Sequence, residues 1–104
     1  MAETTPGHLA PVPDASVGRF LKALASESRQ QVMMLFAGGA ELSVGDVAER
    51  LSIGQSTASE QLAKLKEGDL LVSRRVGKTV FYRVDAGRVE AVLDRLRDYL
   101  HGCC

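Results

Sequence analysis

The sequence predicts a mainly α fold carrying a small β-hairpin, with elements in the order α-α-α-α-β-β-α. Three observations lead there. Residues 42–68 place two short amphipathic helices around a tight turn at Ser52-Ile53-Gly54. Residues 71–84 then alternate at period two about Gly77-Lys78, the pattern of a hairpin. Apolar stripes at helical spacing near both ends of the chain have no assigned partner inside so small a domain. Two helices joined by a tight turn and followed by a basic ribbon make a winged helix-turn-helix, expected here as a dimer.

Residues 1–13 hold Pro6, Pro11 and Pro13 with few large apolar side chains, and are expected to form a disordered arm. His8 in that arm reads as a solvated histidine or as a ligand reaching from it. The folded unit is expected over residues 14–101, with residues 102–104 as a flexible tail. Asp14 or Ser16 can cap a first helix whose apolar stripe is Val17, Phe20, Leu21 and Leu24. A break at Ala25-Ser26-Glu27-Ser28 precedes a second helix over residues 29–37, capped by Ser28 and closed by Gly38-Gly39.

Ser43 is the expected cap of the third helix, with Asp46 three residues on; Val44, Val47, Ala48 and Leu51 form its apolar face. Gly54 is free to take a positive φ in the turn. The fourth helix starts near Gln55, is held by Ala58, Leu62 and Leu65, and is expected to end on Gly68 as a left-handed cap. After the hairpin, Asp85 caps a last helix over residues 86–101. Val89, Val92, Leu93, Leu96, Tyr99 and Leu100 lie on one of its faces.

The outer face of the fourth helix is short and polar: Gln55, Ser56, Thr57, Ser59, Glu60 and Gln61, with Lys64 a turn later. Hydroxyls and amides match phosphate oxygens and base edges, so this face suits a major groove. The hairpin carries Arg74, Arg75, Lys78 and Arg83 and no acid, whereas residues 41–70 hold six acids against three bases. A cationic ribbon beside a polar helix is placed to grip phosphates.

The stretch from Phe20 to Arg29, the Gln55–Leu65 helix and the Arg74-Arg75-Val76-Gly77-Lys78 and Val80–Val84 strands together resemble the ArsR/SmtB family of winged-helix transcriptional repressors. The resemblance runs from Val17 to Leu100. It implies a homodimer bound to pseudo-palindromic double-stranded operator DNA. Gln55, Ser56, Thr57, Ser59, Glu60, Gln61 and Lys64 would lie at the groove, and Arg74, Arg75, Lys78 and Arg83 at phosphates. It further implies a dimer interface of Val17, Phe20, Leu21, Leu24, Val89, Val92, Leu93, Leu96, Tyr99 and Leu100. Two departures stand out. Ser26-Glu27-Ser28-Arg29 replaces the family's Asp-Pro-Thr-Arg turn, and Glu60 stands where a base is common; it can accept from a cytosine amino group or pair with Lys64.

Regulators of this family respond to metals or thiol-reactive signals. The Cys-Val-Cys set of the third helix is absent, since Leu42-Ser43-Val44-Gly45-Asp46 holds no thiol. The last-helix set is incomplete, since Asp85-Ala86-Gly87 lacks a histidine at its third position. His101, Cys103 and Cys104 remain as candidate ligands for nickel, zinc, cobalt or arsenic(III), or as a redox pair.

The chain has 104 residues, 45% apolar and 25% charged, with zero formal net charge. That length fits one modest core. Two adjacent cysteines are no disulfide framework, no stretch can cross a bilayer, and no secretory signal opens the chain, so a cytoplasmic location is expected. No acid–base pair or phosphate loop points to an enzyme. The rival reading is an interaction module that acts through a partner protein, or a thiol-switched regulator.

Overall fold

A computed structural model describes residues 15–103. The helices are α1 (Ala15–Leu24), α2 (Glu27–Met34), α3 (Val44–Leu51), α4 (Gln55–Glu67) and α5 (Ala86–Cys103). Three strands, β1 (Leu42–Ser43), β2 (Val72–Val76) and β3 (Thr79–Arg83), form one antiparallel sheet in the order β1-β3-β2. None of the helices among the described residues is long and apolar enough to cross a membrane. The expected arm at residues 1–13, with His8, and the expected cap Asp14 lie outside the described residues.

The core sits where α4 is wrapped by its neighbours. Ala58, Leu62 and Leu65 are wholly buried and meet Val17, Phe20 and Ala23 of α1, Val32 of α2 and Val47 and Ala48 of α3. Truncating a fully buried leucine such as Leu62 to alanine costs about 2–5 kcal/mol. The polar residues of α4 are thereby pushed to the outside.

The chain ends of the helices show where local chemistry decides. Ser43 and Asp46 form a reciprocal capping box: Asp46 N donates to Ser43 Oγ at 3.1 Å and Ser43 N to Asp46 Oδ2 at 2.9 Å. These bonds, the backbone one foremost, hold the Asp46 carboxyl below its ordinary range. Asp85 caps α5 as expected, accepting from Arg88 N at 3.2 Å.

Several expectations are corrected. Ser26, not Ser28, caps α2, because its extended backbone (φ −132°) lets Oγ accept from Arg29 N at 3.3 Å. The helix therefore starts two residues early, ends at Met34, and hands over to a 3₁₀ turn at Ala37–Gly39. Ser16 is no cap; it lies within α1, and its Oγ accepts from Arg95 at 2.9 Å. In the α3–α4 turn the left-handed residue is Ser52 (φ 55°), while Gly54 is extended at φ −69°. At the end of α4 it is Asp69 that takes φ 67°. Gly68 has φ −87° and is needed for space: a Cβ there would sit 2.6 Å from Ala23 Cβ and 2.9 Å from the Arg19 carbonyl oxygen. The two-residue strand β1 was not foreseen, because Ser43 serves both as its last residue and as the α3 cap. Helix α5 runs through Cys103, beyond the expected end at His101.

The terminal helices pack on each other and on the core within the one chain. Val17, Phe20 and Val92, expected at a subunit interface, are at most 3% exposed and already buried by the chain itself. Leu24, Val89 and Leu96 are half-buried against that core. Leu21, Leu93 and Leu100 remain open, at 45%, 37% and 51%.

Candidate nucleic-acid interface

Helix α4 presents the expected polar face. Gln55, Ser56, Thr57, Ser59, Glu60 and Lys64 are exposed. No side chain caps its first turn, since the N-cap is Gly54. Its first backbone N–H groups therefore keep their hydrogen-bonding capacity for an outside acceptor. No ion pair joins Glu60 to Lys64 among the described residues, so Glu60 stays available.

Gln61 behaves differently. It is half-buried, and its Oε1 accepts from Arg29 Nη1 at 3.2 Å. The same guanidinium donates through Nε to the Ala23 carbonyl at 2.7 Å and through Nη2 to the Lys22 carbonyl at 3.3 Å. Gln30 Nε2 donates to the Leu24 carbonyl at 2.7 Å. Arg29 and Gln30 thus satisfy the orphan carbonyls at the end of α1, and Arg29 ties that end to α4.

The wing is built on the pairs Val72↔Arg83, Ser73↔Tyr82, Arg74↔Phe81, Arg75↔Val80 and Val76↔Thr79. Directly opposed residues share a face of an antiparallel sheet. Tyr82 turns inward with Leu42 of β1, while Arg74, Phe81 and Arg83 lie on the outward face. Gly77 at φ 62° makes the turn, placing Lys78 at the exposed tip. Arg74 is engaged: its Nε and Nη2 each donate to the Glu41 carboxylate at 2.7 Å, and its guanidinium lies 5.8 Å from the Phe81 ring centre. That fork holds the Glu41 carboxyl below its usual range and pushes the Arg74 guanidinium further up. Arg75, Lys78 and Arg83 are exposed and form no ion pair among the described residues.

Of the expected metal ligands, the structure describes a side chain for His101 alone. His101 is exposed in the last turn of α5, Cys103 ends that helix, and Cys104 lies outside the described residues. Among the described residues no three His, Cys, Asp or Glu side chains are grouped to hold a metal ion. Asp85, the one residue present from the last-helix set, accepts from Arg88 N at the start of α5.

Known proteins share both the sequence pattern and this geometry. A family described as a helix-turn-helix domain matches residues 24–74. The transcriptional activator HlyU of Vibrio cholerae is 38% identical over 76 residues, covering 73% of this chain and 69% of that protein. The chain belongs to the ArsR/SmtB-like family of winged helix-turn-helix transcriptional regulators. A second ArsR/SmtB-like relative, the biofilm growth-associated repressor of Agrobacterium fabrum, is 35% identical over 80 residues, 77% of this chain and 68% of that one. The HlyU structure from Vibrio cholerae superposes with a TM-score of 0.64 at 36% identity, over 81% of this chain and 90% of that one. The solution structure of a homodimeric winged helix-turn-helix DNA-binding domain from Mycobacterium bovis gives 0.65 at 34% identity, over 81% and 80%. An ArsR/SmtB-like regulator binds DNA and is not an enzyme, in line with the sequence reading.

Sequence reasoning missed Glu41 and Arg29. Glu41 lies in an acidic stretch well before Arg74 in the chain, and only the β1–β3–β2 order brings it beside the wing. Arg29 stands in the Phe20–Arg29 stretch, but its reach to Gln61 depends on how α2 crosses α4.

Proposed function

We propose that the chain works as a homodimer on a two-fold symmetric operator. The first two turns of α4 would enter the major groove, and Arg75, Lys78 and Arg83 would lie on phosphates. The observation that carries this reading is the uncovered polar face of α4, from Gln55 to Glu60, beside wing cations Arg75, Lys78 and Arg83 that form no ion pair among the described residues. Leu21, Leu93 and Leu100 support the second subunit, because they leave apolar area on the terminal helices that one chain does not cover. Such a role belongs in the compartment that holds the DNA, the cytoplasm.

Repression is the output we propose; the name of the Agrobacterium relative states repression for that protein, and the name of HlyU states activation. No metal step is included. His101 belongs to no group of three or more His, Cys, Asp or Glu side chains among the described residues.

Selection from a pool of random duplexes tests the reading. The purified chain is expected to enrich a palindrome with half-sites about one helical turn apart. A stable dimer that enriches nothing would overturn it and favour the partner-protein reading.

A further inference from the structure

A cleft of about 440 Å³ opens between α1, α2 and the C-terminal half of α4. Its floor is the close approach of Ala23 and Gly68. Arg19, Lys22, Arg29 and Lys64 line it, against the single acid Glu67. In a chain whose formal net charge is zero, this is a strong local excess of positive charge. The side chains of Arg19, Lys22 and Lys64 are exposed and form no ion pair or hydrogen bond among the described residues. Arg29 is bound only to neutral oxygens, so its charge is not cancelled.

The placement of the cleft relative to α4 gives it a meaning. At about 3.6 residues per turn, Gln61, Lys64 and Gly68 follow one another along one edge of the helix. Gln55, Ser59 and Lys66 follow the opposite edge. A Cβ on Gly45 of α3 would lie 3.7 Å from Gln55 Nε2, so that opposite edge faces α3, the helix that packs on β1 and β3. A helix with its side chains is about 10–12 Å across, and the major groove is about 12 Å wide. A helix seated there meets one phosphate strand at each edge. Helix α3, with β1 and β3 packed on it, stands at one edge, and the basic cleft at the other.

We propose that the cleft grips the DNA backbone on the strand opposite the wing, with Arg19, Lys22 and Lys64 on phosphate oxygens and Arg29 fixing the frame that holds them. The proposal rests on the groove reading of α4. It adds α1, otherwise an internal packing and dimer helix, to the DNA-binding surface.

The test is the salt dependence of binding to a random-sequence duplex, read by fluorescence anisotropy on the full chain. Arg19→Ala, Lys22→Ala and Lys64→Ala should each lower the slope of log affinity against log salt by about 0.9 for every phosphate that is no longer neutralised. Lys22→Arg should restore it, and Arg97→Ala on α5 should leave it unchanged. Alanine favours helix at all three sites, so the fold should persist. Lys78→Ala at the wing tip separates the two claims. If it flattens the slope while the three cleft variants do not, the cleft proposal fails and the groove reading stands. If the wild-type chain shows no salt-dependent binding at all, the groove reading itself fails. If inorganic phosphate shifts the amide resonances around the cleft yet the cleft variants keep the wild-type slope, the cleft is a small-anion site and the proposal is overturned.

Discussion

Arg29 Nη1 donates to Gln61 Oε1 across 3.2 Å, so a glutamine on α4 is held at the seam between α2 and α4. Its amide serves the protein's own packing. Gln61→Ala should therefore cost about 1 kcal/mol of stability, the net worth of a typical intramolecular hydrogen bond. It should leave the base preference of the selected duplex unchanged. Urea unfolding and a repeated selection check the two halves.

Glu41 and Arg74 make the comparable arrangement at the wing, with two bonds of 2.7 Å. The carboxylate neutralises a cation that would otherwise face phosphate. Glu41→Gln should free Arg74, raising affinity for all duplexes and steepening the salt slope by about 0.9, the worth of one further neutralised phosphate. The pH dependence has a fixed sign. The Glu41 carboxyl is held below its ordinary range in the folded chain. Its contribution to stability is present above the unfolded-state value and is lost as pH falls through the folded one. Melting curves of wild type and Glu41→Gln should differ at neutral pH and converge on acidification.

Gly68→Ala isolates the packing of α1 on α4. The φ of −87° suits alanine, so any loss comes from the added methyl meeting Ala23 and the Arg19 carbonyl. The neighbours there are backbone and a short side chain, which cannot swing away. A loss of about 1–3 kcal/mol in denaturant unfolding is expected.

Leu93→Asp or Leu100→Asp should give a folded monomer with weakened operator binding, checked by sedimentation velocity and circular dichroism. Val92→Asp should unfold the chain instead, since Val92 is 1% exposed within the single subunit. A dimer that survives both exposed-leucine changes would remove the terminal helices from the interface.

Much of this architecture was legible in the residues. The capping box at Ser43 and Asp46, the Asp85 cap, the period-two hairpin and the α4 stripe of Ala58, Leu62 and Leu65 are local signals, and each appears where its pattern places it. The less legible features are those set by packing. Left-handed backbone fell on Ser52 and Asp69 although Gly54 and Gly68 lay nearby, because Gly68 answers to a neighbouring helix and not to its own dihedral angles. The apolar stripe of α1 could not be divided by sequence into Val17 and Phe20, which face the core, and Leu21, which does not. At the candidate interface, exposure of Gln55, Ser56, Thr57, Ser59 and Glu60 was readable from helical period. The bonds of Gln61 to Arg29 and of Arg74 to Glu41 join residues more than thirty positions apart, and no local pattern announces them.

The most direct test of groove reading is the ratio of affinities for the enriched palindrome and a scrambled duplex, measured for the wild-type chain and for a Gln55→Ala, Ser56→Ala, Thr57→Ala variant with its wing intact. If α4 reads the groove, the variant loses most of that ratio while its affinity for the scrambled duplex and its salt slope stay close to wild type. A variant that keeps the full ratio would contradict groove reading by α4.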